Sequence, residues 1–351
     1  MRLSRFLVIA FVMLLGSSTS ALARDQFRVC WSNDAGALPW GYAAQQKIVA
    51  KWARKYRISI DLVRVDDATD AVKQYTAGQF DGCTMNNLQA LSLPAAAGID
   101  TTALLINNFS AGNDGILLRG KNLRAQDLKG KEVHLAKNSV AHYLLVRALE
   151  SVQLSEDDVS VTPTAEADLL AAYGAGDIAA VAAWNPTLAQ LKAAGDSTLV
   201  FSSHRIPGEI VQLLAVNTDT LRANPALGRA LTGAWFETMQ RMRATDDKGA
   251  ATLSAIAKGA GIELEDYEAQ RRKNRSFYSA RSAVTFAESP GLPAAMERMS
   301  AFAFSHGMLG KATSAQSIGI SFANGVVIGS PANIKLRFDS AFMQVAADGR
   351  L

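Results

Sequence analysis

Apolar positions along this chain alternate between strand-like runs and helix-like faces. Phe27–Trp31 is a short apolar run and reads as a buried strand. Residues 42–57 then put Ile48, Val49, Trp52, Ala53 and Tyr56 on one helical face. Ile58–Val65 is a strand in which Ile58, Ile60 and Leu62 alternate with polar residues, and the short helix after it stops at Gly78. Phe80–Met85 is a strand, a helix begins near Asn87, and Thr101–Phe109 is a further strand. This βαβα order predicts a mostly parallel sheet with helices on both faces.

A second unit of the same kind starts near Asn113. "DLKGKEVHLA" is a turn leading into strand Glu132–Ala136, and Asn138 or Ser139 caps a helix with Val140, Leu144, Leu145, Ala148 and Leu149 on one face. Strand Val159–Thr162, helix Glu166–Gly174 and strand Ile178–Trp184 follow; Pro186 suits the first turn of the next helix, and "TLVFSS" is another strand. The long apolar strand Ile210–Asn217 returns the chain to the first unit. Helices are expected over 224–243, 249–259 and 292–309, with Arg271–Arg275 as a solvated helix face. The tail pairs Ile318–Phe322 with Val326–Ile328 around an "NG" turn. No linker separates the units, so the expectation is an α/β chain of two lobes that share crossing strands. Lobe one comprises 25–112 plus 215–351 and lobe two 113–214, with crossings near 108–115 and 211–218.

The N-terminus changes the picture of charge. "MRLSRFLVIAFVMLLGSSTSALA", residues 1–23, has a basic start at Arg2 and Arg5, an uncharged apolar run Phe6–Leu15 and a small-x-small end at Ala21-Leu22-Ala23. It reads as a secretory signal peptide, with an apolar run too short to span a bilayer. Loss of its two arginines takes the formal charge from +4 to +2, so nucleic acid is not an expected partner. The mature chain is expected in the periplasm as an exported soluble protein. An oxidising compartment permits one bridge between Cys30 and Cys83; the reading favoured here is two buried, unbridged apolar residues. His134, His142, His204 and His306 have none of the short spacings of a metal site, so no metal is expected.

Ligands of open α/β sheets sit beyond the carboxyl ends of the strands. Those positions here are Trp31, Asn33, Asp34 and Trp40 after the first strand; Asn86 and Asn87 after "FDGCTM"; Ser110, Asn113 and Asp114 after "LLINNF"; Asn138, Ser139 and His142 after "EVHLA"; Trp184 and Asn185 after "IAAVAA"; and Glu209 before the return strand. Polar, small and tryptophan residues at nearly every strand end suit a ligand cleft between two lobes. There is no Gly-x-Gly-x-x-Gly fingerprint, no phosphate loop and no Gly-x-Ser-x-Gly elbow, so neither a cofactor nor catalysis is expected.

"GQFDGCTMNNLQAL", "DLKGKEVHLAKNSVAHYLLVRALESVQLSEDDVSV" and "AAVAAWNP" resemble the nitrate/sulfonate/taurine-type solute-binding proteins of ABC importers, over most of the mature chain. The tail, "FAFSHGMLGKATSAQSIGISF" and "NIKLRFDSAFMQVAADG", is similar to the urea-type subgroup associated with urea carboxylase. The resemblance implies a type II periplasmic-binding-protein fold, a small nitrogen-rich solute and membrane permease subunits as partners. Related pyrimidine-synthesis enzymes carry a cysteine-rich iron-binding run, which this chain lacks.

Charge then selects among solutes. The strand ends hold Asp34, Asp114 and Glu209 beside Trp31, Trp40 and Trp184, and Lys137 is the one basic residue among them. Carboxylates bind guanidinium edges in pairs, and indole faces attract cations. Guanidinium is therefore expected before urea, and both before nitrate, sulfonate or taurine. The rival expectation is an exported enzyme acting on a small amide or amidine, with Asp34 or Asp114 as base; a sensory binding protein is a further one.

Overall fold

The structure, a computed structural model, describes residues 24–176 and 178–351. The expected signal peptide lies outside these residues.

Two sheets organise the chain. The main sheet contains β1 (Gln26–Trp31), β2 (Ser59–Arg64), β3 (Gly82–Asn86) and β4 (Thr101–Ser110). The second sheet contains β5 (Asp114–Arg119), β6 (Glu132–Leu135), β7 (Ser160–Pro163), β8 (Ala180–Trp184) and β9 (Ser197–Ser202), in the order β7-β6-β8-β5-β9. The chain returns to the main sheet through β10 (Val211–Asn217), β11 (Asn274–Ser276), β12 (Gly319–Phe322), β13 (Val327–Ile328) and β14 (Ile334–Phe338). The main-sheet order is β13-β12-β14-β4-β10-β3-β1-β2, with β11 on β4.

The α/β fold with two sheets is the expected one, but the sheets are mixed rather than mostly parallel. β1 is parallel to β2 and β3, and β14 to β4 and β12, whereas β10 runs antiparallel to both β3 and β4. In the second sheet β6 is parallel to β7 and β8, and β5 is antiparallel to β8 and β9. The crossing strands are among the exceptions, as are the antiparallel β12–β13 hairpin and the edge strand β11 on β4. The chain leaves by β4 and comes back by β10, so neighbouring strands at the crossing run in opposite directions.

Helices cover the sheets. In the first part they are α1 (Leu38–Gln45), α2 (Ile48–Lys55), α3 (Ala68–Thr76) and α4 (Asn87–Ala90). The second sheet is flanked by α5 (Val140–Glu150), α6 (Glu166–Gly174) and α7 (Thr187–Ala193). After the return come α8 (Thr218–Ala223), α9 (Pro225–Arg243), α10 (Asp247–Ala260), α11 (Leu264–Arg272), α12 (Ala280–Ala287), α13 (Gly291–Ser305) and α14 (Ala341–Ala347). No helix among the described residues is long and apolar enough to cross a membrane.

Local differences from the sequence expectations have local causes. The helix expected over 42–57 is two helices, because Lys47 takes a left-handed φ of 54° and restarts the turn. The Arg271–Arg275 cluster is not one helix face: α11 ends at Arg272, and Asn274–Ser276 adds an edge strand to β4. Cys30 and Cys83 are bonded to each other rather than free, because β1 and β3 are neighbours and the two cysteines stand opposite in register.

Candidate ligand cleft

The loop after β1 turns tightly into α1: the amides of Ala37 and Leu38 both donate to the Asp34 carbonyl. Ser32 is buried; its amide donates to Thr84 Oγ1 at 3.2 Å and its hydroxyl to Asp34 Oδ2 at 2.8 Å. Asp34 is half-buried as a residue, yet its Oδ1 is enclosed and has no hydrogen-bond partner. Burial raises its carboxyl above the ordinary range, against the pull of the Ser32 hydroxyl and the Gly36 and Ala37 amides. Gly36 lies against β4: a Cβ there would stand 2.5 Å from Asn108 Nδ2, so any larger residue would have to displace that buried side-chain amide. Behind the loop, Gly36, Asn108, Trp235, Arg271 and Asn274 line a cavity of about 10 Å³, room for about one water.

The crossing from β4 to β5 supplies the second group. Asp114 is 2% exposed and accepts a hydrogen bond from Ser110, whose hydroxyl lies 2.6 Å from that of Ser203. Ser203 Oγ also accepts from the amides of Gly112 at 2.8 Å and Asp114 at 3.3 Å. Burial pushes the Asp114 carboxyl up to about 6, although the Ser110 and Asn113 side chains pull it down. Asp114 pairs in register with Trp184, and directly opposed residues of antiparallel strands share a face, so the carboxylate stands beside the half-buried indole. Asn185 holds the other side of this corner, donating its amide and its Nδ2 to the Asn113 carbonyl at 2.9 and 3.2 Å. Asn113 Oδ1 in turn takes Asn274 Nδ2 at 3.4 Å, which links the crossing to the cavity behind Gly36.

Glu166, at the start of α6, completes the set and was not among the sequence candidates. It accepts from Thr187 Oγ1 at 2.9 Å. Burial pushes its carboxyl up to about 7; Thr187 opposes this, while the carboxylates of Asp114 and Asp67 add to it. Asp67 caps α3 on the main-sheet side, so its field at Glu166 marks where the two lobes face each other. Asp34, Asp114 and Glu166 have no cationic partner within salt-bridge distance among the described residues.

Other candidates serve the frame. Trp40 is fully buried and stacks on Trp235 with ring centroids 5.1 Å apart, so it belongs to the core. Trp31 is 7% exposed, packed on Gly41, where a Cβ would meet the indole at 2.5 Å. Asn86 caps α4, and buried Asn87 donates to the Glu209 carbonyl at 2.9 Å and accepts from the Val211 amide at 3.1 Å. The Glu209 carboxylate is already occupied. It takes Tyr143 Oη at 2.5 Å, Arg147 Nε at 2.9 Å and an Arg298 amino group at 3.1 Å. Burial raises the Glu209 carboxyl, but the Arg147 and Tyr143 hydrogen bonds outweigh it, leaving it below the usual range. Ser139 caps α5, with Ala141 N–H to Ser139 Oγ at 3.1 Å, while Asn33 and Asn138 are exposed at loop tips. His142 is buried and faces α13 rather than the strand ends.

Comparison with known proteins gives a consistent fold. The profile of the family described as "NMT1/THI5 like" matches residues 42–248, more than half of the chain. The periplasmic aliphatic sulphonate-binding protein SsuA from Escherichia coli superimposes with a TM-score of 0.68 at 18% identity, covering 82% of this chain and 94% of that one. The alkanesulfonate-binding protein SsuA from Xanthomonas axonopodis pv. citri, bound to MOPS, gives 0.62 at 20% identity, with 83% and 96% covered. The desulfurization enzyme DSZB gives 0.58 at 16% identity, with 93% and 100% covered. Among proteins with curated descriptions, none matches this chain.

Proposed function

The chain belongs to the NMT1/THI5-like family, and on that premise we propose that it is the extracytoplasmic solute-binding component of an ABC importer. In this reading it is a periplasmic protein that closes its lobes on a small planar nitrogen-rich solute, guanidinium first and neutral urea second, and hands it to membrane permease subunits without chemistry. The sulfonate-binding proteins that share its fold support a binding role.

One observation carries the choice of guest: Asp34, Asp114 and Glu166 are half-buried or buried carboxyl groups whose affinity for protons is raised and which have no cationic side chain within salt-bridge distance among the described residues. A buried carboxylate without a counter-charge is costly, and a guanidinium supplies that charge together with paired N–H donors. The half-buried Trp184 indole beside Asp114 adds a face for a flat cation, worth roughly 0.5–2 kcal/mol. A sulfonate or nitrate would add negative charge to the same corner. Arg271, with an unpartnered Nε, is the group that favours an anion; the cavity it lines, of about 10 Å³, is too small for a sulfonate or a guanidinium and does not choose between them.

Calorimetry with guanidinium, urea, nitrate and taurine tests the reading. Stoichiometric guanidinium binding without turnover is expected. Tight binding of taurine or nitrate with no response to guanidinium would overturn it. Release of ammonia from a bound amide or amidine would move the chain to the enzyme class, as DSZB on the same fold allows.

A further inference from the structure

Three side chains away from the strand-end carboxylates converge on one point. His142 lies on α5, Glu156 starts a 3₁₀ turn (Glu156–Asp158) leading to β7, and His306 caps the end of α13. His142 Nε2 is 2.8 Å from Glu156 Oε1, and His306 Nε2 is 3.0 Å from Oε2 and 3.1 Å from Oε1. One ligand atom from each lies within 4.8 Å of the others. The histidines stand 14 and 150 residues from Glu156, which is why no spacing in the sequence brings them together. We propose that His142, Glu156 and His306 form a divalent transition-metal site, suited to zinc, that fastens the two lobes to each other.

The tautomers carry the argument. His306 Nδ1 lies 2.8 Å from the Phe302 carbonyl, which can only accept, so Nδ1 bears the proton and Nε2 presents its lone pair. In a neutral ring that lone pair points at a carboxylate, a contact that either a second ring proton or a metal ion bound between the two would satisfy. A histidine whose other nitrogen donates to a backbone carbonyl is the usual partner arrangement of a metal-bound imidazole. Two imidazoles and a carboxylate select zinc and its neighbours over magnesium and calcium, which prefer oxygen alone. Glu156 is about one-third exposed, at 35% of its side chain, which leaves a fourth position open to water. His142 requires one rearrangement: its Nδ1 accepts the Asn138 amide at 3.2 Å, so its proton must move from Nε2 to Nδ1 and this contact must open. Metal binding therefore reaches the Asn138-Ser139 start of α5.

The site crosses the lobes. α13 packs on the main-sheet side against α4 and β13, while α5 covers β5 and β8. A metal there would hold the lobes at one separation, independently of any solute.

The test uses chelator-stripped, dialysed protein and zinc chloride, read by calorimetry and by the Asn138 backbone amide in NMR. One equivalent of zinc is expected to bind and to shift that amide, with magnesium and calcium doing neither. Glu156→Gln and His306→Gln, both at partly exposed positions, are expected to weaken zinc at least about tenfold, while His134→Gln leaves it unchanged. Cobalt in place of zinc should give the intense visible bands of a four-coordinate ion. Equal zinc affinity in wild type and His306→Gln, or zinc binding that leaves the Asn138 amide in place, would overturn the proposal.

Discussion

Asp114 and Glu166 hold their protons more tightly than ordinary carboxyl groups, so a cationic guest must displace them. Guanidinium affinity should therefore rise between about pH 5 and pH 8, with proton release that calorimetry in buffers of different ionisation heat can count. The stability of the free protein runs the other way. Asp114 rises from 3.8 unfolded to about 6 folded, so its contribution is full below the lower value and is lost as pH climbs through the higher one. Two units correspond to no more than about 3 kcal/mol, and Asp114→Asn should flatten that part of the pH–stability curve. The same substitution removes a charged hydrogen-bond acceptor and is expected to weaken guanidinium about 10- to 100-fold. An Asp114→Asn protein with wild-type affinity would take this residue out of the site. The positions of Asp34 and Asp114 just beyond strand ends were legible in the sequence because short apolar runs locate a strand's carboxyl end; their part in a site belongs to the proposal. Glu166 was not, since an acid in a helix's first turn is explained by the helix itself. Glu209 and His142 were misplaced for the opposite reason: their partners, Arg298 and His306, arrive from a helix far along the chain.

Among the elements, β1 to β4, β6 to β10 and the β12–β13 hairpin were readable, whereas β5, β11 and β14 were not. β5 has an apolar middle, Ile116-Leu117-Leu118, but follows β4 after only a short turn, so the sequence reads the two as one boundary. β14 finds its place only beside β4, more than two hundred residues earlier. The Cys30–Cys83 bridge belongs to the same class, being set by the pairing of β1 with β3. It closes a loop of 53 residues, and both sulfurs are buried among central strands. Replacing both cysteines with alanine should lower stability by roughly 2–4 kcal/mol while leaving the fold intact, measured by urea unfolding. No change in the midpoint would mean the bridge does not form in the native protein.

Across the whole molecule, the proposed closure on a solute would start from contacts that already link the two lobes. Glu209, in the returning segment, is held by Arg147 on α5 and by Arg298 on α13, and Tyr143 stacks edge-on to Phe302 at 5.4 Å. These contacts join the lobes before a solute arrives. A binder whose competent state is already populated gains apparent affinity in proportion to that population. Arg298 is 43% exposed in its side chain, so solvent screens its share of the ion pair, and its loss should amount to about 1 kcal/mol or less. Arg298→Ala should then enlarge the radius of gyration of the free protein in X-ray scattering and weaken guanidinium by up to about fivefold. With saturating guanidinium the two proteins should scatter alike, because the solute supplies what the missing contact did. If Arg298→Ala scatters like wild type without solute yet binds more weakly, the α5–α13 contact acts on the site directly and not through closure.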